Sequence, residues 1–328
     1  MASPVLSETS RLGHLLFDQA TTAEQRERFL PLFLEDDRYH LAFAHQEPDN
    51  ATALGIDYHR PGPGALVPPK TTAVRTSKGE WIINGVKDCV ANAPVAKLFA
   101  VTASDPQLPG ETRTLLVPRD APGLTVKAHE GRDRWFHGAC GTVTLQECRV
   151  PAQYLVDAQR AAALTGDGGR ATPLAAAIAL GIGRAAQEAA LEYADLRVQG
   201  GRRIVEHQAI GTKLAEITTR LTVARNAVWQ AAWACDHPDA FADRSLPDLP
   251  LTTIAAVFAS KAIYRAAKDA AECFGAMGVM RDMPLQQYVH DALVCLHSGA
   301  GNADAKLRIA EALARYRRPT NAAALAAE

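Results

Sequence analysis

The chain has 328 residues, a formal net charge of −1 and an apolar share of 48%, an ordinary balance for a globular protein. That length admits two or three structural domains, and the near-neutral charge offers neither a nucleic-acid surface nor a polybasic membrane contact. The six cysteines (Cys89, Cys140, Cys148, Cys235, Cys273, Cys295) are scattered, with no CxxC pair or Cys/His cluster in the sequence. Free thiols in a reducing cytoplasm are therefore expected, and a structural zinc site is not. Met1 to Ser10 lacks a basic region followed by an apolar run, the pattern of a signal peptide. No apolar stretch is long enough to span a membrane, so a soluble cytoplasmic protein is expected.

In chain order, residues 1 to about 35 read as helical. Leu12, Leu15, Leu16 and Phe17 share a face, and Ala23 to Leu30 continues the pattern after Thr21 or Thr22 as N-cap. From about residue 38 to 155, Pro and Gly rise and short alternating segments appear. Gly79 to Gly85 reads as a strand ending in an Asn84-Gly85 hairpin turn. Further strands are read at Lys97–Ala103, Thr114–Pro118 and Gly141–Leu145, giving an antiparallel β domain, a small barrel or sandwich. After Asp167-Gly168-Gly169 the chain reads as helical almost throughout: Leu174–Leu196, Gln208–Cys235, Thr252–Phe274 and Asn302–Tyr316. Pro238, Pro247 and Pro250 separate the second of these from the third. Four helices with short connections suggest a bundle. The fold class is thus α+β, with helical residues 1–36, a β domain over 37–156 and a C-terminal helical bundle over 157–328.

Four local motifs sharpen this outline. They are Phe43-Ala44-His45-Gln46-Glu47-Pro48, Ile83-Asn84-Gly85-Val86-Lys87, Arg197-x-x-Gly200-Gly201-x-x-Ile204-x-x-His207-Gln208, and Cys273-Phe274-Gly275-Ala276-Met277-Gly278 followed by Tyr288-Val289-His290-Asp291. In order and separation they resemble Ala-x-Thr-Glu-Pro, Asn-Gly-x-Lys, Arg-x-x-Phe-Gly-x-x-Ile-x-x-Phe-Gln, Phe-Gly-Gly-x-Gly and Tyr-x-Arg-Asp of the acyl-CoA dehydrogenase superfamily. The resemblance covers nearly the whole chain and implies FAD as cofactor and an acyl thioester as substrate. It also implies an electron-transfer flavoprotein or oxygen as electron acceptor, and an oligomer of like or unlike chains. Against that family pattern the chain opens within the last helices of the N-terminal helical domain. Apolar surface left uncovered in this way would call for a partner.

By the same resemblance, Leu296-His297-Ser298-Gly299-Ala300-Gly301-Asn302 aligns with Tyr-Glu-Gly-Thr-x-x-Ile, so Ser298 stands where the family carries its catalytic glutamate. A hydroxyl with a pKa far above neutral does not remove an acyl α-proton as a carboxylate does. Ser298 reads as a relic, as a group orienting substrate or a flavin peroxide, or as a nucleophile beside His297. Asp167 is either a displaced base or a helix cap.

The resemblance assigns flavin contacts to Phe43, His45, Gln46, Ala91, Arg197, Gln208, Glu272, Gly275, Ala276, Ala300 and Asn302. A guanidinium suits a pyrophosphate, being always charged and donating in a planar fork, although Arg197 also reads as a solvated helix-end residue. Gly275 and Gly278 allow close backbone approach or simply make a turn. His45 is a donor toward the flavin or a polar residue on a half-exposed strand. Asp133 and Arg134, before Trp135-Phe136, lie near the acyl chain or form a surface ion pair. Cys89 and Ala91 replace the Trp and Thr that pack on the flavin, and Glu272 puts a carboxylate where the family has an amide, which repels phosphate.

The function implied is FAD-linked α,β-oxidation of an acyl thioester, by an oxidoreductase acting on CH–CH groups, with atypical or partner-supplied catalysis. The alternatives are a non-catalytic structural subunit and a flavin-dependent monooxygenase or oxidase on the same fold.

Overall fold

The computed structural model describes residues 4–48, 69–108, 111–129, 139–165, 173–237 and 250–297, with short stretches between 305 and 312. The chain divides into two compact units. One holds the described residues up to 165, the other those from 173 onward.

The first unit opens with α1 (Pro4–Gly13), a π-helical segment His14–Ala20 and α2 (Ala23–Glu35). Thr22 caps α2 reciprocally: its hydroxyl accepts from the Gln25 N–H at 3.2 Å, and its own N–H donates to the Gln25 side chain at 3.1 Å. The buried Gln25 amide also donates to the carbonyls of Gln153 and Leu155, tying α2 to the end of the β region. Leu12, Leu16, Phe17, Ala20 and Phe29 enter the same apolar core as the strands, so the N-terminal helices bury their faces against the sheet.

The strands are β1 (His40–Ala44), β2 (Thr72–Arg75), β3 (Glu80–Ala91), β4 (Ala96–Ser104), β5 (Thr112–Pro118), β6 (Leu124–Ala128), β7 (Cys140–Pro151) and β8 (Leu155–Val156), followed by α3 (Ala158–Thr165). Their order is β6-β7-β3-β2-β4-β5-β8, with β1 also on β4. β4 is buried on both faces, as its apolar run from Leu98 to Ala103 requires.

Two expectations need correction here. The sheet is mixed, because β1 and β2 meet β4 in parallel; neither is joined to it by a hairpin, so nothing imposes antiparallel pairing. The turn is not at Asn84-Gly85 but at Thr76–Gly79, where Gly79 takes φ +78. β3 runs straight through Gly85, which sits at φ +152 in a register shift. A Cβ there would stand 2.6 Å from Thr71 Cα, so this glycine serves close chain approach rather than reversal.

The second unit contains α4 (Pro173–Leu196), the hairpin β9 (Val198–Gln199) and β10 (Arg202–Arg203), α5 (Gln208–Asp236), α6 (Leu251–Cys273) and α7 (Leu285–His297). Gly200 and Gly201, at φ +63 and +81, make the hairpin turn. Small residues line the contacts. Ala186, Ala190 and Ala194 on α4 and Ala259, Ala266, Ala267 and Ala270 on α6 are fully buried. Sequence periodicity did not mark α7. Of the helix expected at Asn302–Tyr316, residues 305–306, 309–310 and 312 are helical and the others lie outside the described residues, as does the proline-marked segment 238–249. No described helix is long and apolar enough to cross a membrane.

Candidate functional site

In the first unit, the segment after β1 lies beside the far half of β3. The Asp88 N–H donates to the Gln46 carbonyl at 3.0 Å, and the Asn92 side-chain amide donates to the Leu41 carbonyl at 3.1 Å. Phe43, His45 and Gln46 are thus held next to the stretch that carries Cys89 and Ala91. The Phe43 and His45 rings stack at 4.7 Å. Although the His45 side chain is exposed, crowding desolvates the ring and lowers its pKa, and Lys87 and Arg11 add repulsion, opposed by donation from the ring to the Phe43 carbonyl.

Beneath this surface the two motifs meet in a buried ion pair. Lys87 is 0% exposed, and its ammonium donates to Glu47 Oε1 at 2.9 Å, Thr102 Oγ1 at 3.3 Å and the His45 carbonyl at 3.3 Å. Glu47 also accepts from the Lys70 N–H, the Thr71 N–H and the Thr71 hydroxyl at 2.6 to 2.9 Å. Burial works to raise the Glu47 pKa, but donation from Thr71 and Lys87 outweighs it and pulls the value to about 2. Burial pushes the Lys87 pKa down, with Glu47 opposing. The pair holds the segment that carries His45 and Gln46 onto β3. It is structural support, and sequence reading had given these two residues no role.

A second cluster was also missed. The β3–β7 register shifts between Lys87 and Val90, which leaves Asp88 and Cys89 in a bulge opposite Thr142. His129, just past β6, extends the β6–β7 ladder and reaches the same place. Its Nε2 lies 2.9 Å from Asp88 Oδ1 and 2.9 Å from Thr142 Oγ1, and the Thr142 hydroxyl donates to Asp88 Oδ1 at 2.7 Å. Burial acts to raise the Asp88 pKa, but these donations and that of the Cys89 N–H leave it below the ordinary value. The Cys89 thiol is pushed up by burial and by Asp88. The sequence contains no Cys/His cluster by spacing, yet the sheet assembles one from residues forty apart. Only strand register could have revealed it.

In the second unit, Arg197 directly follows α4 and leads into the double-glycine hairpin, and Gln208 is the first residue of α5. Both are exposed. The Arg197 guanidinium donates to the Gln199 side-chain oxygen at 3.0 Å, and no carboxylate among the described residues pairs with it. Arg203, in contrast, is held by both Asp195 and Glu206. Tyr193, one turn before Arg197, stacks on Phe274 at 4.0 Å, which brings the end of α4 beside the end of α6. There Glu272 pairs with Lys213 of α5 and with Lys268. The repulsion expected of this carboxylate is therefore largely cancelled, and its pKa is lowered, first by donation from Lys213. Gly275 takes φ +57 with open space where a Cβ would stand, and Ala276 is exposed beside it. Gly278 has another role: a Cβ there would meet the Ala271 carbonyl, so its smallness serves helix packing.

The donor set at this end of the bundle suits an anionic dinucleotide: an unneutralised guanidinium, a side-chain amide and an open glycine backbone. Ser298, Ala300 and Asn302, with Asp133, Arg134 and Asp167, lie outside the described residues.

Comparison with known proteins follows the same outline. Residues 65–140 match the family model for the acyl-CoA dehydrogenase middle domain, and residues 168–314 that for the acyl-CoA dehydrogenase C-terminal domain. An acyl-CoA dehydrogenase of Bacillus subtilis (strain 168) is 32% identical over 285 residues, covering 83% of this chain and 67% of that protein. Benzylmalonyl-CoA dehydrogenase of Aromatoleum aromaticum is 33% identical over 252 residues, covering 74% and 62%. The solved butyryl-CoA dehydrogenase of Megasphaera elsdenii aligns with a TM-score of 0.76 at 25% identity, over 95% of this chain and 77% of that one. The chain thus spans 62 to 67% of the length of the two sequence relatives. With motifs, fold and relatives in agreement, the chain belongs to the acyl-CoA dehydrogenase family.

Proposed function

We propose that the protein is an FAD-linked oxidoreductase that acts on an acyl thioester within an oligomer. The observation that carries this reading is Arg197, a guanidinium with no carboxylate partner among the described residues at the mouth of a double-glycine hairpin, with Gln208 opening the helix that follows the hairpin. Bound FAD would supply the two-electron acceptor for α,β-oxidation. Arg197 and Gln208 would hold its phosphates, and Gly275 and Ala276 would let backbone approach it closely. By the family motifs Phe43, His45 and Gln46 are flavin contacts as well, and Ala91 brings no hydroxyl among them.

Ser298 offers no carboxylate, so the α-proton needs an acceptor from another chain or another residue. Support for an oligomer comes from α5 and α6, where Trp229 (66% exposed), Trp233 (49%) and Phe258 leave large apolar surface open. Cys89 and Ala91, which lack the indole and hydroxyl of the family, favour a second reading: a subunit that keeps the fold and contributes no flavin chemistry.

The test is an absorbance spectrum over about 300–550 nm, where flavin absorbs. It is taken on the protein purified alone and co-expressed with a full-length homologue that carries the glutamate. Flavin bands in the lone protein support a self-sufficient flavoprotein. Bands that appear only with the partner support a shared site. A colourless protein in both preparations refutes the FAD reading and leaves the structural subunit.

A further inference from the structure

The bulge in β3 gathers three side chains of different donor chemistry. The Cys89 thiol, the His129 imidazole and the Asp88 carboxylate each offer an atom, and these atoms all lie within 4.8 Å of one another. We propose that Asp88, Cys89 and His129 form a binding site for a divalent, borderline-soft metal ion, represented by Zn²⁺, with an open fourth position.

Geometry supports this first. Ligand atoms about 2.0–2.3 Å from a tetrahedral ion stand roughly 3.3–3.8 Å apart. His129 Nε2 lies 2.9 Å from Asp88 Oδ1, Cys89 Sγ lies 4.0 Å from Asp88 Oδ2, and one ligand atom from each of the three residues falls within 4.8 Å of the others, so shifts of about an ångström bring the set onto one ion. The bulge aims the thiol: Cys89 takes φ +51, unusual for a non-glycine residue, and its side chain is exposed.

The donor types select the class of ion. One thiolate, one imidazole and one carboxylate suit zinc-class metals, whereas calcium and magnesium require shells of oxygen atoms. A thiolate and a carboxylate together balance a 2+ charge. On binding, the Cys89 thiol loses its proton to solvent, and His129 presents the Nε2 lone pair with its proton on Nδ1.

Thr142 completes the arrangement as a positioning residue. Its hydroxyl donates to Asp88 Oδ1 at 2.7 Å and can keep doing so with metal bound, which fixes the carboxylate. With three protein ligands, half-buried Asp88 and His129 and exposed Cys89, a fourth position stays reachable from solvent, for water or a substrate oxygen. The inference lies wholly within the first unit and does not depend on the FAD reading.

The test uses the full chain, stripped with chelator and titrated with Zn²⁺ against a chromogenic competitor, and separately with Co²⁺ followed by absorption. The expected result is one Zn²⁺ per chain and, with Co²⁺, a thiolate-to-metal charge-transfer band. Cys89→Ser and His129→Gln should each weaken Zn²⁺ binding by about 100-fold or more, and Cys89→Ser should remove that band. Thr142→Val should weaken it by about 10-fold with the band retained. Cys235→Ser, at another exposed cysteine, should change neither. Circular dichroism confirms that each variant is folded. No stoichiometric Zn²⁺ binding by the unmodified chain, or undiminished binding by folded Cys89→Ser, overturns the proposal.

Discussion

Replacing Lys87 with methionine removes the ammonium but keeps most of its volume, and leaves the Glu47 carboxylate buried without its cation. Breaking one side of such a pair costs about 3–5 kcal/mol. Glu47 keeps its three donors from Lys70 and Thr71, which places the expected loss near the low end. The pKa sets an upper figure for the charged carboxylate. The step from the ordinary 4.5 to about 2, driven by Thr71 donation ahead of Lys87, corresponds to roughly 3 kcal/mol of folding stability at pH 7. Because the folded value is depressed, this contribution is fully present above the unfolded pKa and is lost as pH falls from about 4.5 toward 2. At pH 3 the unfolded carboxyl is protonated and the folded one is still largely ionised, so roughly 2 kcal/mol of it has gone.

Hydrogen–deuterium exchange of β3 and β4 reads the opening of this unit alone. At pH 7, Lys87→Met should speed that exchange about a hundredfold, after correction for the intrinsic chemical rate. At pH 3 the difference between the two proteins should shrink to about tenfold. Acceleration of less than about fivefold at pH 7, or an equal effect at both pH values, would refute the assignment of a stabilising buried pair.

Arg197→Gln should lower FAD affinity by about 10- to 100-fold, as expected for loss of a charge-assisted contact, measured by flavin retention on gel filtration. Unchanged retention would remove Arg197 from the phosphate site. Gly85→Ala must place a methyl group against Thr71 at an unfavourable φ, and should lower stability by more than about 1 kcal/mol, read as a fall in thermal midpoint. Glu272→Gln breaks pairs at a largely exposed position, so its effect on stability should stay within about 0.5 kcal/mol. The same change should strengthen binding of a phosphate-bearing nucleotide, because it frees Lys213; weaker binding in an equilibrium titration would contradict the neutralised-carboxylate account.

Features written in neighbouring residues were legible in the sequence. The Thr22 cap, the helical runs that became α4, α5 and α6, and the strands at 97–103 and 114–118 all follow local periodicity or capping chemistry. The Asn84-Gly85 pair shows where local reading fails. A glycine that supplies positive φ to a turn and one that admits a neighbouring chain look alike until Thr71 is in place. The parallel pairing of β1 with β4 and the meeting of His129 with Cys89 depend on register between distant segments. Glu47 and Lys87 were visible as motif residues, but their role rests on burial, which neither motif encodes. The site proposed in the second unit rests on Arg197 and Gln208, which were legible as motif residues. That Lys213 and Lys268 offset Glu272 follows only from packing of α5 against α6.

The buried alanines of α6 have a consequence for how this bundle tolerates change. Alanine loses no side-chain freedom on burial, so ordering it costs little, and each one gives the core only a methyl group. The helices are instead brought close, and Leu221 lies where any side chain on Gly183 would go. Variation at Ala266, Ala267 or Ala270 is therefore bounded by volume. Each added methylene group has to move a helix, at about 1–3 kcal/mol, whereas the outward positions of the same helix accept almost any size. Drift in this part of the chain is channelled to its surface, and the surface is where subunits of differing partnership can diverge while the interior stays the same.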